Sequence, residues 1–270
     1  MIGKTSVAKI VSVICVFVCI LICVSLFAYA EENDVHGAPD AIPEGAKRLI
    51  EVYPEQSLRY VDGQIIFPDG TAMIYDDGKS KSFDEKLDQS DIEDMFSLTY
   101  SLAEKPEYLQ DAGRSRCEPF FKKMYGSSKA EVRKQLVSVP WFGKRVKFTK
   151  VNGAAEQLRK VAEEIERDYP EMIKYMESSG TFVWRKVRGA QRMSSHSYGI
   201  ALDIGVPFSD YWQWAYGKVA ETAQIGYKNK IPLEIVRVFE KHGFVWGGRW
   251  YHFDTMHFEY RPEIVYDLKE

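Results

Sequence analysis

The pattern of apolar and polar positions divides the chain into three stretches. Lys4 and Lys9 precede an almost wholly apolar run, residues 10–27, which ends in Ala28-Tyr29-Ala30 before Glu31. A basic start, an apolar run and a small-x-small tripeptide predict a secretory signal peptide over residues 1–30. An uncleaved anchor is the alternative, because a run of about 18 apolar residues can just span a bilayer. Residues 31–45 are polar, with Pro39 and Pro43, and read as a flexible leader. From Arg48 to Gly78, short apolar runs are punctuated by Asp62-Gly63, Asp69-Gly70 and Asp77-Gly78. Such pairs tolerate positive φ, so a small meander of hairpins is expected. Asp91–Leu102 is expected to be helical. Ser128-x-x-Glu131 resembles a capping box that opens a helix ending before Pro140.

The second half has a different rhythm. Leu158, Val161, Ala162 and Ile165 recur at helical spacing behind Asn152, a good cap residue. Thr181–Arg185, Gly199–Gly205 and His257–Tyr260 read as strands. Pro232–Lys241 reads as a helix, with proline in its first turn and Gly243 as its stop. Strands joined by long irregular segments predict an α+β fold, a small antiparallel sheet with flanking helices, rather than repeated βαβ units. The expected organisation is a signal peptide (1–30), a leader and N-terminal accessory region (31–145) and a second domain (146–270).

Composition narrows the chemistry. The 270 residues carry a formal net charge of −3, and no basic face suggests nucleic-acid binding. Cys15, Cys19 and Cys23 lie in the apolar run, which leaves Cys117 alone. A lone cysteine forms no internal bridge and no zinc knuckle, so any metal site must use histidine and carboxylate.

Two short segments supply such residues. In Ser194–Ile204, the residues Ile200, Leu202 and Ile204 alternate with Ala201 and Asp203, so a strand turns Asp203 away from the apolar face. His196 lies just upstream and can converge on Asp203 if the chain bends at Gly199. Taken alone, the pair reads equally well as a turn histidine and a capped aspartate. Near the C-terminus, Met256, Phe258 and Tyr260 can face a core while His257 and Glu259 face the other way, with Asp254 in the turn before them. Two histidines and one carboxylate leave zinc an open fourth position, the arrangement of a catalytic site. A neighbouring carboxylate can then move the proton. Glu259 either orients His257 or pairs with Arg261. His252 is expected to be a partly exposed loop histidine, His242 to sit at a helix C-terminus, and His36 to have no role. Tyr211, Trp212, Trp214 and Tyr216 suit either a glycan groove or ordinary packing.

Ser194-x-His196-x-x-Gly199-x-Ala201-x-Asp203, followed by Asp254-x-x-His257 between Trp246-Gly247-Gly248 and Phe258-Glu259, resembles the zinc D-alanyl-D-alanine carboxypeptidase family. Its relatives include phage L-alanyl-D-glutamate endolysins, and the hedgehog signalling domain shares the fold. The resemblance implies a hedgehog/DD-peptidase-like domain with Zn2+ on His196, Asp203 and His257. It implies Asp254 as catalytic base and Arg185, at the end of Phe182-Val183-Trp184-Arg185, as the group that stabilises the substrate carbonyl or carboxylate. Arg192 is a rival for that anion role, and Ser194 matches the motif serine. The implied substrates are peptidoglycan stem peptides, cut by metal-activated water in a carboxypeptidase or endopeptidase reaction. The implied place is the periplasm or cell envelope, with membrane contact only through residues 10–27. The alternative is a non-catalytic zinc-containing wall-binding or signalling module of the same fold.

Overall fold

The computed structural model describes residues 41–269, so the signal segment, most of the leader and His36 lie outside the described residues. Helix α1 (Glu44–Val52) turns Ala46 and Leu49 into the core. The expected meander therefore begins later than Arg48, as β1 (Arg59–Val61), β2 (Gln64–Ile66) and β3 (Ala72–Ile74). Asp62 and Gly63 join its first two strands with both residues at positive φ, 47° and 74°. That is the backbone an Asp-Gly hairpin turn needs. Helix α2 (Phe83–Asp88) opens on a complete capping box of Ser82 and Glu85.

The helix expected over Asp91–Leu102 does not form beyond one 3-10 turn, Glu93–Phe96. Lys81 sits among Asp77, Asp91 and Asp94 at 3.1, 2.8 and 2.6 Å. Asp91 accepts from the Asp94 backbone N–H at 2.9 Å. These side-chain bonds offer the backbone an alternative to a helical ladder.

Helix α3 (Glu118–Tyr125) leads into α4 (Lys129–Gln135), where Ser128 accepts from the Glu131 N–H as expected. The Glu131 carboxylate instead takes the Ser127 N–H at 2.7 Å, so only half of that capping box exists. Strands β4 (Leu136–Trp141) and β5 (Lys144–Thr149) make a hairpin. Residue 145, the expected end of the N-terminal region, lies inside β5. Helix α5 (Ala154–Asp168) buries Leu158, Val161, Ala162 and Ile165. Its cap is Gly153, not Asn152. The Asn152 side chain instead accepts from Gln56 at 2.8 Å.

Four strands, β6 (Ser178–Gly180), β7 (Ala201–Ile204), β8 (Phe244–Trp246) and β9 (His257–Tyr260), form an antiparallel sheet in the order β6-β7-β9-β8. The strand expected at Thr181–Arg185 is displaced, because β6 ends at Gly180. The following residues pair instead with 194–196, through Val183 N–H to His196 O and Ser194 N–H to Arg185 O. Helices α6 (Trp212–Tyr216) and α7 (Leu233–Lys241) complete the fold, an α+β arrangement. Gly243 ends α7 at a φ of 87°.

Both faces of this sheet are covered. On one face Ile200, Leu202, Ile204 and Phe258 join a core that runs from Ala46 to Tyr260. There Phe239 of α7 stacks on Phe258 at 4.0 Å. On the other, Tyr100 and Ala112 pack with Val245, Trp250, Ile264 and Val265. Trp250 Nε1 donates to the Ala112 carbonyl at 2.7 Å. The chain before residue 145 thus closes a face that the second half leaves open, and Pro43–Glu270 forms one compact unit. Among the described residues no helix is long and apolar enough to cross a membrane.

Candidate metal centre

Sheet register creates the centre. Asp203 of β7 and His257 of β9 are direct cross-strand partners. Side chains of such partners leave the same face only a few ångströms apart. His257 Nδ1 lies 3.0 Å from Asp203 Oδ1. His196 arrives from a 3-10 turn, Ser195–Tyr198, that ends at Gly199 with φ 69°. A side chain at Gly199 would also meet Leu136 at 2.5 Å, so the bend and the close packing both require glycine. The bend brings His196 Nε2 to 3.2 Å from the same Asp203 oxygen. One ligand atom from each of the three residues lies within 4.8 Å of the others.

The outer partners of both histidines fix which nitrogen faces the centre. His196 Nδ1–H donates to the Thr181 carbonyl at 3.1 Å, which leaves Nε2 free to ligate. His257 is turned the opposite way. Its Nε2 meets Glu259 Oε2 at 3.1 Å and Ser195 Oγ at 3.3 Å, so Nδ1 faces inward. Such outer hydrogen bonds set the tautomer and raise ligand basicity. Glu259 thus contacts His257 and also pairs with Arg261 Nη1 at 3.0 Å. Two imidazole nitrogens and a carboxylate oxygen form a donor set that suits zinc.

Electrostatics separate the carboxylates. Burial works against charge on Asp203, but hydrogen bonds from His196 and His257 outweigh it and hold its pKa below the usual carboxylate range. Burial also opposes charge on His257, yet Asp203 and Glu259 raise it to about 10. Asp254 goes the other way, pushed up to about 7 chiefly by burial. Its Oδ1 is sealed from solvent and has no hydrogen-bond partner among the described residues. Its carbonyl accepts from the His257 N–H at 3.1 Å, which ties the turn to β9. A buried acceptor without a donor is costly, so the site holds this oxygen ready for a proton.

These groups line one cleft of about 290 Å3, together with Ser194, Arg185 and Arg192. Arg185 is anchored at its backbone, where its N–H donates to the Ser197 hydroxyl at 3.0 Å, and among the described residues its exposed guanidinium reaches only the Lys186 carbonyl at 3.4 Å. Ser194 is buried at the cleft wall, while it is the neighbouring Ser195 that touches His257. Trp214, 59 % exposed, stands at the cleft mouth, whereas Trp212 is core.

His252 is not the partly exposed loop residue expected. It is buried, its Nδ1 lies 2.5 Å from Asp111, and its Nε2 meets the Glu221 carbonyl at 2.8 Å. His242 ends α7 as expected and contacts Glu164 at 2.8 Å. Ser195, Arg116, Asp111 and the Thr181 carbonyl were not singled out by the sequence. Arg116 and Asp111 lie more than 75 positions before Ser194, where the first motif opens, with no local pattern to flag them.

The chain is thus an α+β fold in which His196, Asp203 and His257 could together hold a metal ion. A family model described as D-alanyl-D-alanine carboxypeptidase matches residues 188–260, so over that stretch the chain is similar to this peptidase family. The match contains Ser194, His196, Asp203, Asp254, His257 and Glu259, and begins just after Arg185. No curated protein and no solved structure matches the chain.

Proposed function

We propose that this chain is an exported zinc peptidase of the hedgehog/DD-peptidase fold that hydrolyses peptidoglycan stem peptides. The observation that carries this reading is the convergence in one cleft of His196, Asp203 and His257 beside the partnerless Oδ1 of Asp254, four residues that all fall within the matched segment. His196 Nε2, His257 Nδ1 and an Asp203 oxygen would hold the metal. Zinc bound there would supply Lewis acidity and lower the pKa of water to about 7. Asp254 takes a proton from the attacking water and delivers it to the leaving amine, a role suited to a pKa near working pH. Arg185 faces the substrate carbonyl or carboxylate with a permanently charged, forked donor. Glu259, Ser195 and the Thr181 carbonyl keep the two imidazoles aimed. Export follows from the apolar segment and Ala28-Tyr29-Ala30 ahead of Glu31.

The ligand set predicts one zinc per chain in the purified protein. His196→Ala and His257→Ala should each abolish tight binding. Elemental analysis that finds full zinc in both variants would remove this assignment.

A further inference from the structure

The cleft carries more cationic charge than its own carboxylates balance. Arg114, Arg116, Arg185, Arg188 and Arg192 line it against Asp203 and Asp254. Arg114 is engaged by Asp111 at 2.6 Å and Glu221 at 2.9 Å. The others are less well matched. Arg116 approaches Glu259 only at 3.4 Å, and that carboxylate is shared with His257 and Arg261. Arg192 holds Asp88 through Nη1 at 2.6 Å. In both Arg116 and Arg192 the Nε is sealed from solvent without a hydrogen-bond partner among the described residues, and each side chain is only 10 % exposed. Arg188 makes no hydrogen bond or ion pair among the described residues.

Buried guanidinium groups stay charged, so their unmet N–H groups call for an anion. Burial disfavours the Arg116 cation, Glu259 relieves this in part, and Arg261 and Arg192 then add repulsion. We infer that Arg116 and Arg192 form an anion subsite beside the metal centre that takes a carboxylate of the substrate peptide, in addition to the contact made by Arg185. This rests on the peptidase reading. Paired guanidinium forks match planar carboxylates, which makes that group the natural occupant for a peptide. Arg116 comes from outside the matched segment, so the N-terminal half contributes to substrate selection as well as to packing. A second cavity of about 560 Å3 shares Arg114, Arg188, Arg192 and Trp214 with the cleft, so a peptide can run past the subsite. The carboxylate can therefore belong to a side chain or to the peptide terminus.

The test is calorimetric binding to the purified full chain, metal-free and zinc-loaded. One probe pair is L-alanyl-γ-D-glutamyl-L-lysine amide with its glutamyl carboxylate free or converted to carboxamide. The other is acetyl-D-alanyl-D-alanine with a free or amidated terminus. A charge-assisted pair predicts that the acid of at least one pair binds about tenfold tighter or more. That preference should fall to within about twofold in Arg192→Gln and persist in part in Arg192→Lys. Asp88→Asn removes only the competing anion, so the preference should hold or widen; a purely structural role for the Arg192–Asp88 pair predicts a loss instead. Acid and amide binding alike in both pairs, a preference unchanged by Arg192→Gln, or no binding at millimolar peptide would each overturn the inference. Retained preference without cleavage would instead remove the peptidase reading and leave the subsite standing.

Discussion

Asp254→Asn is expected to cut hydrolysis of a stem peptide by about 10²- to 10⁴-fold, the usual contribution of a positioned general base. At roughly 1.36 kcal/mol per decade this is about 3–5 kcal/mol of barrier. Zinc content should stay unchanged, because the side chain is not among the three ligands. Stability should not suffer either. In the folded chain the Asp254 pKa is raised from 3.8 to about 7. The fold thus favours the protonated carboxyl, and stability falls as pH rises from the unfolded to the folded value. A neutral amide avoids that cost, so above neutral pH the metal-free variant should be at least as stable as the parent. Kinetics on a D-alanine-terminated or L-alanyl-D-glutamyl peptide, with thermal melts at pH 5 and pH 8, check both halves. A variant that keeps its full rate would move the base elsewhere.

Glu259→Ala should be the most damaging single change to the folded chain. Glu259 is fully buried and serves His257, Arg116 and Arg261 together. Burial opposes its charge, but Arg116, the His257 hydrogen bond and Arg261 outweigh it and keep it ionised. Removing the carboxylate leaves the buried Arg116 without its counter-ion and Arg261 with Glu263 alone, a loss that typically costs about 3–5 kcal/mol. His257 also loses the acceptor that aims it, so zinc affinity should fall by about 10- to 100-fold. Urea unfolding and a competitive zinc titration measure the two effects. An alanine variant as stable and as zinc-avid as the parent would show that the network is incidental.

The legible parts of this molecule were those with local causes. Alternation in Ile200–Ile204 and Met256–Tyr260 marked β7 and β9, and helical spacing from Leu158 to Ile165 marked α5. The same alternation placed Asp203 and His257 on the non-core side of their strands, and their cross-strand pairing turned that into a shared site. What was not legible depends on distant contacts. Helix formation over Asp91–Leu102 loses to Lys81 drawing three aspartates together. The strand expected at Thr181–Arg185 leaves the sheet because its backbone bonds go to residues 194–196. His252 is buried because Asp111, far upstream, meets it. Residues 100–116 cover the second face of the sheet and bring Arg116 to Glu259, contacts that no local pattern announces.

The most direct test is mass spectrometry of muropeptides after incubation of isolated peptidoglycan with the purified chain. Zinc-loaded protein should shorten or split stem peptides while leaving glycan intact, with no new products from chelator-treated protein or Asp254→Asn. An unchanged muropeptide profile with zinc bound at His196, Asp203 and His257 would contradict the account and favour a binding module on the same fold.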